Sequence, residues 1–208
     1  MTVLVMAKSP VAGRVKTRLC PPCSPAEAAE IAEAALADTL EAVAGSSADR
    51  RIVALDGAPG PWLPPGFEVV PQAAGPFDVR LTAAWAAAGG PAVQIGMDTP
   101  QVTPALLDDA LDLLDGHPAA LGPAADGGWW ALALRRPDPR TFRGIAMSTA
   151  RTGRDQLARL RSLGHDVALL PTLVDLDTAA DLEAVSAGPR TRQVAVRLDL
   201  LPEPVRGV

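Results

Sequence analysis

The chain has 208 residues, enough for a single domain with a sizeable core, and a formal net charge of −5. This acidic balance argues against a general nucleic-acid binder, which would usually carry a basic face. Hydrophobic residues make up 48% of the chain, but the apolar runs are too short to span a bilayer, and residues 1–8 lack the features of a signal peptide. We therefore expect a cytoplasmic protein with no membrane span and no nucleic-acid partner.

Short apolar runs alternate with helical patterns along the chain. The first run, residues 2–6, is rich in β-branched residues and predicts a strand, and a loop rich in proline, glycine and basic residues follows it to residue 23. Similar runs predict strands at residues 51–55, 67–71, 92–96, 119–122, 129–134 and 166–170. Strands that alternate with helices predict a three-layer α/β domain with a predominantly parallel sheet.

The helices are predicted from their end signals and from apolar spacing. Ser24, Pro25 and Glu27 form a capping box that begins a helix, and Gly45 ends it. Further helices are predicted at residues 78–88, 103–115 and 152–163, and a last one is capped by residues 178–181. We assign residues 1–188 to the domain and residues 189–208 to a C-terminal tail. Because residues 193–200 alternate apolar and polar side chains, the tail predicts an edge or interface strand, and with it a possible homodimer.

Acidic residues follow or adjoin several predicted strand ends, and a basic loop follows the first strand. The acids are Asp98, Asp126, Asp175 and Asp177, and the bases are Lys8, Arg14, Lys16 and Arg18. Ligands collect beyond the carboxyl ends of parallel strands, so both sets are expected in one cleft. Bases neutralise phosphate oxygens and carboxylates hold a divalent ion on the same phosphates, which suits a nucleotide. A Walker A loop is excluded because Val15 stands where its second glycine belongs.

Structural explanations for the same residues stay open. Asp98 can close a turn with its side chain, as aspartate often does in loops. Asp126-Gly127-Gly128 can be a hairpin turn before a strand whose two indoles pack in the core. Cys20 and Cys23 have the spacing of a redox pair or half of a zinc site, but the chain has no second pair, and we expect a structural role for both.

Five segments of the chain are similar to one bacterial family. They are MAKSPVAGRVKTRL (residues 6–19), GMDTP (96–100), GPAADGGWW (122–130), MST (147–149) and DLDTAADL (175–182). On these motifs the chain, from about residue 2 to about residue 185, resembles the glycosyltransferase-A-like proteins of the radical-SAM/selenodomain-associated transferase type. The resemblance implies a GT-A, nucleotide-diphospho-sugar transferase fold, which sugar nucleotidyltransferases and guanylyltransferases of cofactor biosynthesis share.

Site roles are implied by the same resemblance. Asp98 takes the metal-binding position for Mg²⁺ or Mn²⁺, and Asp177 offers a second metal contact. Our own hypothesis adds that Asp126 is the first candidate for general base or acceptor positioning. The four bases of the first loop hold the nucleotide phosphates, and Asp126-Gly127-Gly128 lines the acceptor or sugar side. Relatives commonly show GSDSP where this chain has Met97 and Thr99. They show DGGY where it has Trp129, and WST where it has Met147. The first of these departures is mild, whereas Trp129 and Met147 change an aromatic lining and therefore any borrowed substrate preference.

The sequence thus predicts a metal-dependent transferase that uses a nucleotide-activated donor. Its first interpretation is transfer of a sugar from a nucleoside-diphosphate sugar to an unknown small-molecule acceptor. One alternative is a nucleotidyltransferase that uses a nucleoside triphosphate and a phosphorylated acceptor. Another is a non-catalytic nucleotide-binding protein of the same fold, since fold alone does not settle function.

Overall fold

A computed structural model of the protein describes residues 1–185 and 188–203. The strands, in chain order, are β1 (Thr2–Lys8), β2 (Arg50–Asp56), β3 (Glu68–Pro71), β4 (Ala92–Gly96), β5 (Ala119–Pro123), β6 (Trp129–Leu134) and β7 (Val167–Leu169). They form one seven-stranded sheet in the order β3-β2-β1-β4-β6-β5-β7. Only β6 among these strands runs antiparallel to its neighbours, β4 and β5. The predicted, predominantly parallel sheet is confirmed.

Six helices lie in the described parts of the chain, and two of them start at the side-chain caps that the sequence predicts, Ser24 and Thr103. The six helices are α1 (Pro25–Gly45), α2 (Phe77–Ala88), α3 (Pro104–Gly116), α4 (Thr152–Ser162), α5 (Leu182–Val185) and α6 (Pro189–Arg197). The predicted capping box begins α1: the Glu27 amide donates to Ser24 Oγ at 3.3 Å, and the Ser24 amide donates to a Glu27 carboxylate oxygen at 2.7 Å. Each bond satisfies a backbone donor that a helix start leaves without a partner.

Strand β1 is buried on both sides because a hydrophobic core packs on each face of the sheet. Val3 and Val5 pack in a cluster with α1 and α3, whereas Leu4 and Met6 pack in a second cluster with α2 and α4. This is the predicted three-layer arrangement, and it leaves the carboxyl edge of the parallel strands as the open side of the domain.

A third apolar cluster lies away from the sheet and joins the first loop to the end of the chain. Its buried members include Leu19, Cys23, Ile31, Leu176, Leu182, Val185 and Ala195. Cys20 and Cys23 are free thiols, and burial, aided by the neighbouring Cys20, raises the pKa of the Cys23 thiol. A raised pKa reduces the thiolate fraction, which fits the structural role expected for Cys23.

The prediction of a strand in the tail is wrong, because Pro189–Arg197 forms helix α6. Pro189 stands in the first turn, and the amides of Arg190 and Thr191 donate to the buried Asp38 carboxylate of α1 at 3.1 and 2.8 Å. A carboxylate from α1 therefore caps α6 and fixes it to the domain. Residues 204–208 of the predicted tail lie outside the described residues. The possible homodimer was suggested by the predicted strand, and the helix at Pro189–Arg197 removes this argument for it.

None of the helices in the described parts of the chain combines the length and the apolar character needed to cross a membrane.

Candidate functional site

A cleft opens at the carboxyl edge of the parallel strands and contains most of the predicted site residues. Its cavity has a volume of about 650 Å³ and is lined by residues from β1, β4, the β5–β6 turn and the loops before α2 and α4. A smaller cavity of about 290 Å³ lies beside it and is lined by the loop after β1. Lys8, Arg18, Asp98 and Asp177 line both cavities, so the two form one continuous site.

Lys16 lies at the centre of the charged part of this cleft. Its Nζ forms a close ion pair with Asp98 Oδ1, lies 3.7 Å from Asp177 Oδ1, and donates to the carbonyl oxygen of Leu176. The Lys16 side chain is only 7% exposed, while the Asp98 and Asp177 side chains are 41% and 39% exposed. The two predicted metal ligands thus lie on either side of one buried ammonium group and still face solvent.

The backbone around Lys16 brings together three distant segments of the chain. Lys16 has left-handed backbone angles (φ 47°, ψ 36°), a conformation that few residues other than glycine adopt. The Leu176 amide donates to the Asp98 carbonyl at 2.7 Å, which joins the loop after β4 to the segment after β7. Arg18 Nη1 then pairs with Asp177 Oδ2 at 2.9 Å. Strained backbone and fixed charges in one place are typical of functional sites.

Asp175 faces the same group of acids. Burial, together with the nearby carboxylates of Asp98 and Asp126, raises its pKa to about 7, while Lys16 acts in the opposite direction. The neighbouring carboxylates thus add to the effect of burial, and a cation bound beside them would reduce their mutual repulsion. Added positive charge is therefore favoured here.

The predicted turn of Asp126 and its two glycines forms the other side of the cleft. Asp126 Oδ1 accepts a hydrogen bond from the Gly128 amide at 2.7 Å, which fixes the carboxylate. Gly127 has a φ of +90°, and a Cβ on it would lie 2.1 Å from the Ala150 carbonyl oxygen. Asp126 and Gly128 line the cavity, whereas Gly127 is not among the lining residues and instead packs against the loop before α4.

The remaining bases of the first loop are placed less centrally. Lys8 Nζ lies 3.7 Å from Asp56 Oδ2, so its charge is already partly paired. Arg14 is exposed and lines only the smaller cavity, and within the described residues its side chain forms no hydrogen bond or ion pair. The loop therefore presents one buried cation, Lys16, and more exposed cations around it.

Three residues that the sequence analysis did not single out line the cleft beside β1 and β3. Gln72 donates to the carbonyl oxygens of Ala7 and Ala54 at 2.8 Å each and accepts from Arg80 Nε at 2.8 Å. Phe77 lies under the Arg80 guanidinium, 5.5 Å from ring centroid to Cζ. Gln72 directly follows a predicted strand, so the strand-end rule that found Asp98 would also have found it. Arg80 lies inside the predicted helix at residues 78–88 and Phe77 directly before it, and neither position carries such a signal.

The two indoles after the turn have different environments. Trp130 is 2% exposed, and its Nε1 donates to the Pro171 carbonyl oxygen at 2.9 Å, as the structural explanation expects. Trp129 is half-buried, lines the cavity and has no partner for its Nε1 among the described residues. The structural explanation therefore holds for Trp130, whereas Trp129 packs against the core cluster that contains Leu4 and Met6 and also lines the cavity.

The donor set of the cleft fits a magnesium-type ion bound together with a ligand. Among the described residues, no three His, Cys, Asp or Glu side chains form a group that could hold a metal by themselves. Mg²⁺, however, usually takes only one or two carboxylates and completes its shell with water and phosphate oxygens. Asp98 and Asp177, which share Lys16 and face the cavity, supply such a pair.

Comparisons with known proteins agree on the fold. A sequence profile of the family described as "Uncharacterized protein conserved in bacteria (DUF2064)" matches residues 28–149. No protein with a curated function matches the sequence. A crystal structure from Desulfovibrio desulfuricans G20, of a protein provisionally named a nucleotide-diphospho-sugar transferase, is 24% identical, with a TM-score of 0.82 over 95% of this chain and 96% of that one.

Two nucleotidyltransferases are similar at a greater distance. One, from Methanothermobacter thermautotroptrophicus, is 17% identical with a TM-score of 0.58 over 92% of this chain and 99% of that one. The other, a CMP:2-keto-3-deoxy-manno-octonic acid synthetase complexed with CTP, is 13% identical with a TM-score of 0.57 over 96% and 99%. At these identities the likeness confirms the predicted nucleotide-diphospho-sugar transferase fold and leaves the reaction to be argued from the site.

Proposed function

Since the chain belongs to the bacterial family DUF2064, we propose its activity from its cleft: it is a divalent-metal-dependent transferase that acts on a nucleotide-activated donor. The observation that carries the proposal is the pair of solvent-facing carboxylates, Asp98 and Asp177, on either side of the buried Lys16 ammonium. The proposal also includes the narrower assignment of the chain to the radical-SAM/selenodomain-associated transferase type.

The acidic and the basic residues of the cleft have different roles in binding a diphosphate. Asp98 and Asp177 hold Mg²⁺ or Mn²⁺, which when bound neutralises charge on the phosphate oxygens and on the leaving group. Lys16 and Arg18 lie beside these carboxylates, and Lys8 and Arg14 extend the basic surface along the smaller cavity. Fixed cations in a partly buried site stabilise the negative charge that develops as a nucleoside diphosphate leaves.

Asp126 is the candidate general base. Its Oδ1 is fixed by the Gly128 amide, and it forms no ion pair within 4 Å among the described residues. A fixed, unpaired carboxylate at the cavity wall can accept a proton from an acceptor hydroxyl during its attack. Our first assignment is therefore transfer of a sugar from a nucleoside-diphosphate sugar.

The test of the metal site is a thermal shift measurement with nucleoside diphosphates, triphosphates and diphospho-sugars, each with and without Mg²⁺ or Mn²⁺. A ligand that binds only the folded protein raises its melting temperature. We expect metal-dependent stabilisation by one diphosphate and its sugar conjugates, and loss of the metal-dependent part in Asp98→Asn. Asp126→Asn is the matched control, because it removes a carboxylate from the same cleft and should keep this stabilisation. An Asp98→Asn variant with wild-type affinity would remove Asp98 from the metal site.

Nucleotidyl transfer is a second candidate because of the smaller cavity. This cavity is lined beside Asp98 by Arg14, Lys16, Thr17 and Arg18. These basic side chains are more than a departing nucleoside diphosphate needs, and they suit the release of pyrophosphate. Preference for a triphosphate in the thermal shift panel, together with enzymatic release of pyrophosphate, would favour this reaction over sugar transfer.

A further inference from the structure

The cations that line the main cavity come from the first part of the chain and from α2. Lys8 ends β1, Arg18 lies in the loop after β1 and pairs with Asp177, and Arg80 lies in α2. Another part of the cavity, here called the acceptor half, is formed by the β5–β6 turn, the start of β6 and the loop before α4. It is lined by Asp126, Gly128, Trp129, Met147, Ser148 and Thr149. No lysine or arginine is among these described lining residues.

The start of α4, which borders the acceptor half, offers little to an anion. Free amides at a helix start commonly bind phosphate. Here the Arg151 amide donates to Thr149 Oγ1 at 3.3 Å, the Thr152 amide to the Thr149 carbonyl at 3.0 Å, and the Gly153 amide to the Gly127 carbonyl at 2.8 Å. The protein itself therefore uses these three donors, and a phosphate would have to displace them.

Negative charge further disfavours a phosphate in this half. Asp126 lines the wall without an ion pair among the described residues, and the Gly128 amide fixes its carboxylate there. A phosphate monoester carries between one and two negative charges at neutral pH and needs cations or free N–H donors. The described lining residues of the acceptor half supply no cation, and the three amides at the start of α4 are already used.

Trp129 gives this half the features of a surface for an uncharged ring. Its indole is half-buried at the cavity wall, with an apolar face and an Nε1 that has no partner in the described protein. An aromatic side chain of this kind packs against the apolar face of a ligand and donates one hydrogen bond to it. Ser148, which has left-handed backbone geometry (φ 58°), adds an exposed hydroxyl without a partner among the described residues.

We propose that the acceptor half binds an unphosphorylated, hydroxyl-bearing ring, such as a sugar or a cyclic polyol, with Trp129 against its apolar face and Asp126 at its reacting hydroxyl. The proposal rests on the proposed function. In the transfer, the bond between the sugar's anomeric carbon and the diphosphate oxygen breaks, and a bond from that carbon to the acceptor oxygen forms. The electron pair leaves with the nucleoside diphosphate, and the acceptor's proton passes to Asp126.

The deciding experiment is a calorimetric titration of inorganic phosphate into protein saturated with the nucleoside diphosphate and Mg²⁺. With the site of the nucleoside diphosphate occupied, we expect no binding of phosphate at millimolar concentration. Met147→Lys, which places one cation at the same wall, is the matched control and should gain phosphate binding, with circular dichroism to establish that it folds. Phosphate binding by the saturated wild-type protein would overturn the proposal.

A transfer assay adds a positive readout. The donor found by thermal shift is incubated with a pool of sugars and, separately, with the same sugars as phosphate monoesters, and products are detected by mass spectrometry. We expect adducts from the unphosphorylated pool, reduced at least tenfold in Trp129→Ala, while the variant keeps its nucleotide-dependent stabilisation. Adducts from the phosphorylated pool alone would overturn the proposal. If no nucleoside diphosphate stabilises the protein at all, the proposed function fails, and that result is distinct from both outcomes.

Discussion

At the scale of single residues, the site depends on one buried lysine. Lys16 neutralises Asp98 and Asp177, and its Nζ also bonds the Leu176 carbonyl, so it both joins the loops of the cleft and places positive charge where a divalent ion is proposed to bind. The sequence predicted that the basic loop and the acids share a cleft. It could not predict that Lys16 in particular lies between the two carboxylates, because that follows from the left-handed backbone of a long loop rather than from any periodic pattern.

Replacement of Lys16 by methionine should expose the repulsion between the two carboxylates. Removal of one partner from a buried pair costs about 3 to 5 kcal/mol, and since these carboxylates are partly exposed we expect a loss of about 1 to 3 kcal/mol in the free energy of unfolding. Mg²⁺ should restore stability more in Lys16→Met than in the wild type, as measured by urea unfolding. Arg14→Met, at an exposed position, is the control, and equal effects of Mg²⁺ on both variants would contradict the assignment.

Asp175 should make stability depend on pH. Its pKa is about 7 in the folded protein against an ordinary value of 3.8, so the folded state binds the proton more tightly than the unfolded state. The free energy of unfolding therefore falls as pH rises from about 4 to about 7 and is constant above that range. Asp175→Asn lacks this loss and should match the wild type near pH 4 but exceed it at pH 8, by on the order of 2 to 4 kcal/mol. Urea unfolding of the metal-free proteins measures the difference, and a gain independent of pH would contradict this cause.

At the scale of elements, strands and helices were predictable where a local signal is strong. The capping box of Ser24, the prolines at helix starts and the short apolar runs gave β1 to β7 and α1 to α4 with small errors in their ends. The prediction for the tail was wrong because its residues fit two periods. The spacing of a strand is met by Val194, Val196, Leu198 and Leu200, and the spacing of a helix is met by Thr191, Ala195 and Leu198. Contact with Asp38 of α1, which is distant in sequence, decides in favour of the helix.

The contact between the β5–β6 turn and the loop before α4 should tolerate no side chain. In Gly127→Ala, a Cβ would stand 2.1 Å from the Ala150 carbonyl oxygen at a φ of +90°. We expect a loss of roughly 3 kcal/mol or more, since steric displacement of backbone adds to the cost of the left-handed conformation. Gly89→Ala is the matched control, because it has a φ of +69° with open space around it, and should lose only about 1 kcal/mol. Thermal unfolding compares the two, and similar losses would show that the contact does not matter.

At the scale of the whole molecule, the third apolar cluster connects the tail to the site. Leu19 directly follows Arg18, Leu176 lies between Asp175 and Asp177, and both are fully buried in the cluster that Ala195 of α6 completes. The first loop and the segment after β7 thus rest on a surface that the end of the chain covers. No local pattern indicates this connection, since the three segments are far apart along the chain.

Disruption of the contact between Asp38 and the start of α6 should therefore also change binding in the cleft. Asp38→Ala removes the acceptor for the amides of Arg190 and Thr191 and leaves buried donors without a partner. We expect a loss of about 2 to 3 kcal/mol in the free energy of unfolding and weaker nucleotide binding by calorimetry. Glu41→Ala, which removes only an exposed partner of Arg190, is the control and should change neither quantity much. Unchanged nucleotide affinity in a destabilised Asp38→Ala protein would show that the tail supports the fold and not the site.

The reversed direction of β6 has a consequence for how this protein could be diversified. Because β6 runs antiparallel between β4 and β5, the turn that begins it lies at the same edge as the ends of the parallel strands. One hairpin therefore carries Asp126 and Trp129, while the bases that we propose to hold the phosphates come from a separate segment near the start of the chain. Exchange of this hairpin, together with the loop that packs on Gly127, between related proteins should transplant acceptor choice and leave the donor unchanged. Chimeras built at this boundary are a practical route to new products from one nucleotide.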